Sequence, residues 1–349
     1  MTMKGDIPLA GKKYGLDLGT MNIRIFQGGQ GLVIFEKNMI AIQRKKEVAA
    51  VGNDAFEMYE RTPASIVISN PVRDGVIADI NNMNKVAETL LKKCNCSSGF
   101  IRNNSFFLAV PSDITEVEKR AYFDLIAHSV FNTHNIFVVE KPLAAALGEN
   151  IPVNGPGGAM IVDMGAGTTE ITVITMGGIV ISKLLKMGGN TINEKICQLV
   201  KQRHHLAIGN KTAEYLKLEL GHAIPGQGLT RQAYGRDVIS GLPSHADISD
   251  HLVFDAMKNY LFLVVNTIRN MMEKIPPELA ADILERGIYF TGGTTLIPEL
   301  DRLFAASLHV KVIFSGKPLE STAKGLGVIM DHMSDYKSMT FSLRDTAFE

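Results

Sequence analysis

Two short segments hold residues that could do chemistry: Asp17-Leu18-Gly19-Thr20 and Asp163-Met164-Gly165-Ala166-Gly167-Thr168-Thr169. Each follows an apolar run ending in Asp, turns through Gly into hydroxyl residues, and enters another apolar run. A Gly at a strand-to-strand turn lets backbone N–H groups approach an anion closely. An Asp beside it can hold a hydrated Mg²⁺, which neutralises polyphosphate charge. One such turn is an ordinary hairpin. Two copies half a chain apart predict a duplicated fold gripping a nucleoside triphosphate between its halves.

A third glycine turn, Gly292-Gly293-Thr294-Thr295, leaves an apolar run and enters a helical pattern. It reads as a backbone site for an anion or sugar, or equally as a plain strand–helix connector. Glu214 and Lys217 share a helical face at i, i+3 spacing, and without context they read as a surface ion pair. His204 and His205 follow a helix end that favours their charge, with no Cys or carboxylate spaced to join them on a metal.

The elements that must position these residues follow from composition and period. A chain of 349 residues suits two domains of ordinary size. Apolar content of 46% and charged content of 21% are those of a globular protein. With 36 basic and 36 acidic residues the net charge is zero, and nothing points to a nucleic-acid partner. The first 14 residues lack the apolar core of a signal peptide, and no run approaches the roughly 18 apolar residues of a membrane span. Three cysteines, Cys94, Cys96 and Cys197, have no zinc spacing and leave an odd thiol, which suits a reducing cytoplasm.

Short strands are expected at 31–35, 39–42, 106–110, 136–139, 179–185 and 287–291. Helices are expected at 53–59, 84–93, 142–148, 192–203, 211–220, 252–274, 278–286 and 298–308. Thr115 opens a further helix with Glu118 as its capping-box partner, and Val117, Ala121, Leu125 and His128 form its expected buried stripe. Pro276-Pro277 ends the long helix before it. Strands interleaved with helices argue for mixed α/β layers, not a barrel.

The order of these parts resembles the actin, heat-shock chaperone and sugar-kinase ATPase superfamily. The resemblance narrows at PVRDGVIAD (71–79), which is similar to a signature of the MreB family of bacterial actins. VEKPLAAALG (139–148), DMGAGTTE (163–170), PPELAADILERG (276–287) and PLESTAKG (318–325) are also MreB-like. The match runs from about Tyr14 to about Met333.

That resemblance implies an α/β, actin-like (ribonuclease H-like) duplicated fold, two domains around a nucleotide cleft. Domain I would span 1–148, with a smaller subdomain at about 31–70 and the segment 325–349 returning to it. Domain II would span 149–324, with a smaller subdomain at about 186–246. ATP or ADP would bind with Mg²⁺, which Asp17 and Asp163 would orient through water. Gly19, Thr20, Met21, Asn22 and Ile23 would meet the β- and γ-phosphates. Gly165, Ala166, Gly167 and Thr168 would form the second phosphate turn, with Thr168 helping to place the attacking water. Glu214 and Lys217 would face the ribose and adenine, and Gly292, Gly293, Thr294 and Thr295 would line the adenosine pocket. The family's third turn usually has three glycines; Thr294 stands where the last would be.

The departure that matters most is Lys141. Similar proteins read Glu-Glu-Pro where this chain reads Glu140-Lys141-Pro142, and the second Glu is taken to position the hydrolytic water. A protonated Lys has three donors and no acceptor, so it cannot take a proton from water. General-base assistance is typically worth about 10²–10⁴ in rate. The expectation is retained ATP binding with weak hydrolysis. Glu140 could substitute, but strand alternation would place it on the opposite face from Lys141.

By resemblance the chain is also expected to polymerise head-to-tail with itself, as single or paired protofilaments, and to contribute to cell shape or shape-driven motility. Other bacterial actin isoforms are further implied partners. So is a weak membrane contact through Phe100 and Ile101, at the inner face of the cell membrane, with a buried loop anchor as the equal alternative for that pair. The rival reading, a sugar-kinase-like phosphotransferase, would need a catalytic Asp and a second-substrate pocket that the sequence does not offer.

Overall fold

In a computed structural model, the structure describes residues 11–43, 47–94, 96, 104–129, 135–224, 226 and 228–341. Phe100 and Ile101 lie outside the described residues. The chain separates into two compact units, one formed by Met1–Gly157, Thr172–Leu184 and Leu319–Glu349, the other by Gly158–Ile171 and Leu185–Pro318.

The chain begins with β1 (Lys13–Leu18), β2 (Asn22–Gln27), β3 (Gly31–Lys37), β4 (Ile40–Gln43), β5 (Val48–Val51) and α1 (Asn53–Met58). Next come β6 (Ile66–Ser69), β7 (Val72–Arg73), β8 (Val76–Ile77), α2 (Ile80–Lys93) and β9 (Ser105–Val110). Then follow α3 (Glu116–Ala127), β10 (Asn135–Glu140) and α4 (Lys141–Gly148). The next stretch holds β11 (Ala159–Met164), β12 (Thr169–Thr175), β13 (Gly178–Leu185), α5 (Gly189–His204), β14 (Leu206–Ala207) and α6 (Asn210–Leu220). β15 (Thr230–Asp237), β16 (Pro243–Ser249), α7 (Asp250–Met272), α8 (Pro277–Arg286) and β17 (Ile288–Thr291) lead to a 3-10 turn at Gly293–Leu296. The chain closes with α9 (Leu300–Leu308), β18 (Val312–Phe314), α10 (Ser321–Asp331) and β19 (Thr340–Phe341).

Strand order shows the duplication. The first large sheet runs β19-β10-β9-β1-β2-β3 and the second β13-β12-β11-β17-β18. In both, the strand bearing the Asp is flanked by the next two strands on one side and by later strands on the other, three in the first sheet and two in the second. β1 pairs antiparallel with β2 and parallel with β9, and β11 pairs parallel with β17.

All six residues of β9 are buried, as expected for a central strand covered on both faces. One face packs Leu16, Ile23, Ile25, Phe106, Leu108 and Val138 against Met83, Leu90, Tyr122 and Leu125 of α2 and α3. On the other face α10 lies so close to β1 that a Cβ on Gly15 would stand 2.8 Å from the Leu326 Cβ. Thr115 and Glu118 close the expected capping box at the head of α3. The expected stripe of α3 is corrected: Val117 is 80% exposed and His128 is exposed, while Tyr122, Leu125 and Ile126 are buried. The true face lies part of a turn round, because Tyr122 and Ile126 also meet the core.

β7 and β8 form a two-stranded hairpin within the 71–79 segment, and Asp79 then caps α2 by accepting from the Asn82 N–H. The buried Tyr122 hydroxyl donates to the Gly75 carbonyl at 2.8 Å, fastening this hairpin to α3. Smaller three-stranded sheets, β5-β4-β6 and β14-β15-β16, complete the fold.

Candidate functional site

Asp17 sits one residue before the end of β1, and the Gly19-Thr20-Met21 turn leads into β2 at Asn22 and Ile23. Each carbonyl of the turn is held from inside the same unit. The Asn38 amide side chain donates to the Gly19 carbonyl at 2.8 Å, and the Asn38 N–H to that of Met21 at 2.9 Å. The Asn70 side chain reaches the Thr20 carbonyl at 3.4 Å, and the Gly75 N–H reaches the Thr20 hydroxyl at 3.4 Å. The 71–79 hairpin therefore braces the first turn. Carbonyls drawn into protein do not face an incoming anion, and the turn holds its shape before any ligand arrives.

Lys141 is not a strand residue. β10 ends at Glu140 and Lys141 opens α4, with Pro142 in the first turn, where its missing N–H costs nothing. The alternation argument separating Glu140 from Lys141 thus does not apply, but their electrostatic surroundings still differ. Burial raises the Glu140 pKa, offset by Lys119 and reinforced by Glu116 on α3. The charges felt by the buried Tyr122 hydroxyl are Lys141, Asp17 and Glu118. Burial raises the Tyr122 pKa, so it stays a neutral phenol there. Within this unit, Lys141 and Asp17 both act on Tyr122 of α3, while Glu140 feels Lys119 and Glu116.

In the second unit Asp163 precedes the last residue of β11 and is buried. The turn after it is tight, with the Gly165 N–H donating to the Thr168 carbonyl at 2.8 Å. Its outer carbonyls are capped by the start of α5: Gly189 N–H to Gly165 at 3.0 Å, and Asn190 N–H to Ala166 at 2.8 Å. Beneath it the Thr169 hydroxyl donates to the Met187 carbonyl at 3.0 Å and lies 2.6 Å from the Tyr260 hydroxyl. Tyr260 is fully buried on α7, and burial raises its pKa.

The third turn and α6 close on the same loop. Gly292 has φ 91°, and a Cβ there would come within 2.4 Å of both Asp163 Oδ1 and the Met164 carbonyl. Only glycine fits. The Thr294 hydroxyl donates to the Gly165 carbonyl at 2.8 Å, and that of Thr295 to the Gly292 carbonyl at 2.6 Å. Lys217 donates its ammonium to the Gly189 carbonyl at 3.1 Å, with Glu214 half-buried one turn earlier on α6. Within this unit Gly165, Ala166, Thr168, Lys217 and Thr294 of the expected residues share one hydrogen-bonded assembly, and Gly292 packs against Asp163.

The family-wide comparison matches residues 11–338 to the MreB/Mbl protein family. The chain belongs to the MreB/Mbl family. It is 35% identical over 324 residues to the cell shape-determining protein Mbl of Bacillus cereus, covering 92% of this chain and 96% of that protein. It is also 35% identical over 333 residues to the cell shape-determining protein MreB of Escherichia coli K12, covering 94% and 95%. Among solved structures, MreB5 of Spiroplasma citri bound to AMPPNP superposes with a TM-score of 0.88 at 30% identity, over 94% of this chain and 98% of that one. The MamK double helical filament, at 22% identity and a TM-score of 0.75 over 92% and 99%, shares the fold. Both curated relatives are cell shape-determining proteins, and the sugar-kinase reading is not favoured.

For an MreB-type protein, the donors available to a hydrated Mg²⁺ are uneven. Asp163 fits, as a carboxylate heading a turn whose carbonyls face protein. Asp17 commits one carboxylate oxygen to Arg24, whose Nη1 stands 2.8 Å from Oδ2. Sequence reasoning passed over Arg24, along with Asn38 and the Gly188-Gly189-Asn190 buttress. The signals were a lone Arg among alternating apolar residues and a Gly-Gly pair opening a helix. His204 and His205 join no metal cluster among the described residues, and His205 ends α5 in a left-handed conformation.

Proposed function

We propose that this MreB/Mbl protein binds ATP and ADP, holds them firmly, hydrolyses ATP weakly, and assembles head-to-tail into cytoplasmic cytoskeletal filaments. The observation that carries the nucleotide reading is the assembly around Gly165, where the second turn, the third turn and the start of α5 meet at one carbonyl. That arrangement suits a ligand spanning both turns, a phosphate at one and a nucleoside at the other. MreB5 of Spiroplasma citri, solved with AMPPNP and with ADP, supports the assignment. Asp163 and Thr168 would order Mg²⁺-bound and attacking water, and Mg²⁺ would neutralise phosphate charge. Gly19 to Ile23 would take the β- and γ-phosphates, and Glu214 with Lys217 the ribose and adenine.

A head-to-tail contact is heterologous and propagates where its rotation does not close. Family membership supports filaments here, and the MamK filament supports the fold's capacity to form them. Among the described residues no helix is long and apolar enough to cross a membrane. Attachment to the inner membrane face through Phe100 and Ile101, and mixed filaments with other isoforms, belong to the same proposal. Pelleting and electron microscopy with ATP, ADP or no nucleotide test it. Filaments that form with nucleotide are expected; monomers across protein, salt and Mg²⁺ concentrations would refute the assembly reading.

A further inference from the structure

We infer that Arg24 is a built-in cation of the first phosphate turn, taking over part of the role of the divalent ion, so that nucleotide binding here depends only weakly on Mg²⁺. The inference rests on the nucleotide reading above. In the β1–β2 ladder Asp17 stands directly opposite Arg24, and in the β2–β3 ladder Arg24 stands opposite Phe35. Cross-strand partners share a face, so the three form one row across three strands. Arg24 Nη1 donates to Asp17 Oδ2 at 2.8 Å, and its guanidinium carbon lies 5.2 Å from the centre of the Phe35 ring. Asp17 is 2% exposed and Arg24 9%.

The guanidinium reaches the turn itself. Its Nη1 lies 3.8 Å from where a Cβ on Gly19 would stand. Its Nε is buried with no hydrogen-bond partner among the described residues. A buried donor left unpaired is costly, and on a permanent cation beside a glycine turn an anion is its natural acceptor. The nearest residues on this face of the two strands, Gly15 and Phe26, are uncharged, so the Asp17–Arg24 pair supplies the charges there.

Two consequences follow for a triphosphate. Asp17 is already neutralised by a fixed partner, which removes much of its pull on a hydrated divalent ion. The phosphate meets a neutral Asp17–Arg24 pair at the turn, not a bare carboxylate, whether or not a metal arrives. Metal and nucleotide should then be weakly coupled, and that coupling is reciprocal.

Isothermal titration of ATP and ADP into the full-length protein, in Mg²⁺ and in excess EDTA, measures the coupling. For the native protein chelation is expected to weaken binding by about fivefold or less, the low end of ordinary couplings. Arg24→Gln can still donate to Asp17 but carries no charge, and its chelation penalty should rise to several tens of fold. Arg24→Lys, which restores charge, should fall between them. Far-UV circular dichroism and a thermal midpoint identify any variant that does not fold; the native ratio by itself still decides. A large chelation penalty in the native protein, or equal penalties in native and Arg24→Gln, would overturn the inference while leaving the nucleotide reading intact. Absence of binding in both buffers would overturn both.

Discussion

The Thr294 hydroxyl donates to the Gly165 carbonyl at 2.8 Å, so the third glycine turn is fastened to the second. Thr294 is 7% exposed, and water is a poor substitute for the bond. Gly165 keeps a second donor in the Gly189 N–H, which limits the cost of losing the first.

Thr294→Val keeps the shape and deletes the hydroxyl. A buried hydrogen bond of this kind is worth about 1 kcal/mol, which is roughly a fivefold change in an equilibrium constant. The variant should therefore release a fluorescent ADP analogue about three to ten times faster in stopped flow. Thr294→Ser, which keeps the donor, should stay near native. Native release rates in both variants would show that the fastening does not govern retention.

The packing of α4 on α10 gives a sharper stability test. A Cβ on Gly148 would stand 1.9 Å from the Ser321 carbonyl oxygen, and one on Gly325 1.6 Å from that of Ala144. Both obstacles are backbone, so neither can rotate away. Overpacking costs typically 1–3 kcal/mol and more where backbone must shift. Gly325→Ala should lower the thermal midpoint by several degrees. Gly316→Ala, with nothing within 4 Å of its Cβ, should change it little. Similar midpoints for the two would contradict the crossing as described.

Much of this architecture was legible in the sequence, because its signals are local. The Asp–Gly turns, the Thr115–Glu118 capping box and the Pro-terminated long helix each depend on residues a few positions apart. What was missed depends on register or on distant segments. Asp17 meets Arg24 only because the hairpin pairs them, and Gly165 meets Thr294 across 129 positions. The α3 stripe was misplaced because Val117 continues the helical period on a side that meets no sheet. Pro142 did announce that β10 ends at Glu140, since proline favours the first helical turn.

The raised pKa of Glu140 predicts a pH dependence with a definite sign. Burial is the main cause, with Lys119 partly opposing it. The folded protein then holds this proton at a pH where the unfolded chain has lost it. Stability from Glu140 is fully present below the ordinary carboxylate range and falls as pH rises through the raised value. Glu140→Gln cannot ionise, so its thermal midpoint should exceed the native one near neutral pH. The difference should shrink as pH is lowered below 4.5, the ordinary value. A constant difference across that window would show that packing, not ionisation, is responsible.

Lys141 yields the most direct functional test. It opens α4 beside the surroundings of Tyr122 and Asp17, while Glu140 is occupied with the charges of α3. A lysine there can attract phosphate but offers a water no acceptor. Lys141→Glu supplies the acceptor, and positioned general bases contribute about 10²–10⁴ in rate. Even a poorly aligned carboxylate should raise phosphate release at saturating ATP by about tenfold, a modest share of that range. The added negative charge should weaken ATP binding at the same time. Lys141→Met removes the charge without adding an acceptor, so it should weaken binding and leave the rate low. Rate and affinity thus move apart in one variant and not in the other, which separates a missing base from general disturbance. Should Lys141→Glu hydrolyse no faster than the native protein, Lys141 would not be what limits hydrolysis, and Glu140 would become the residue to vary.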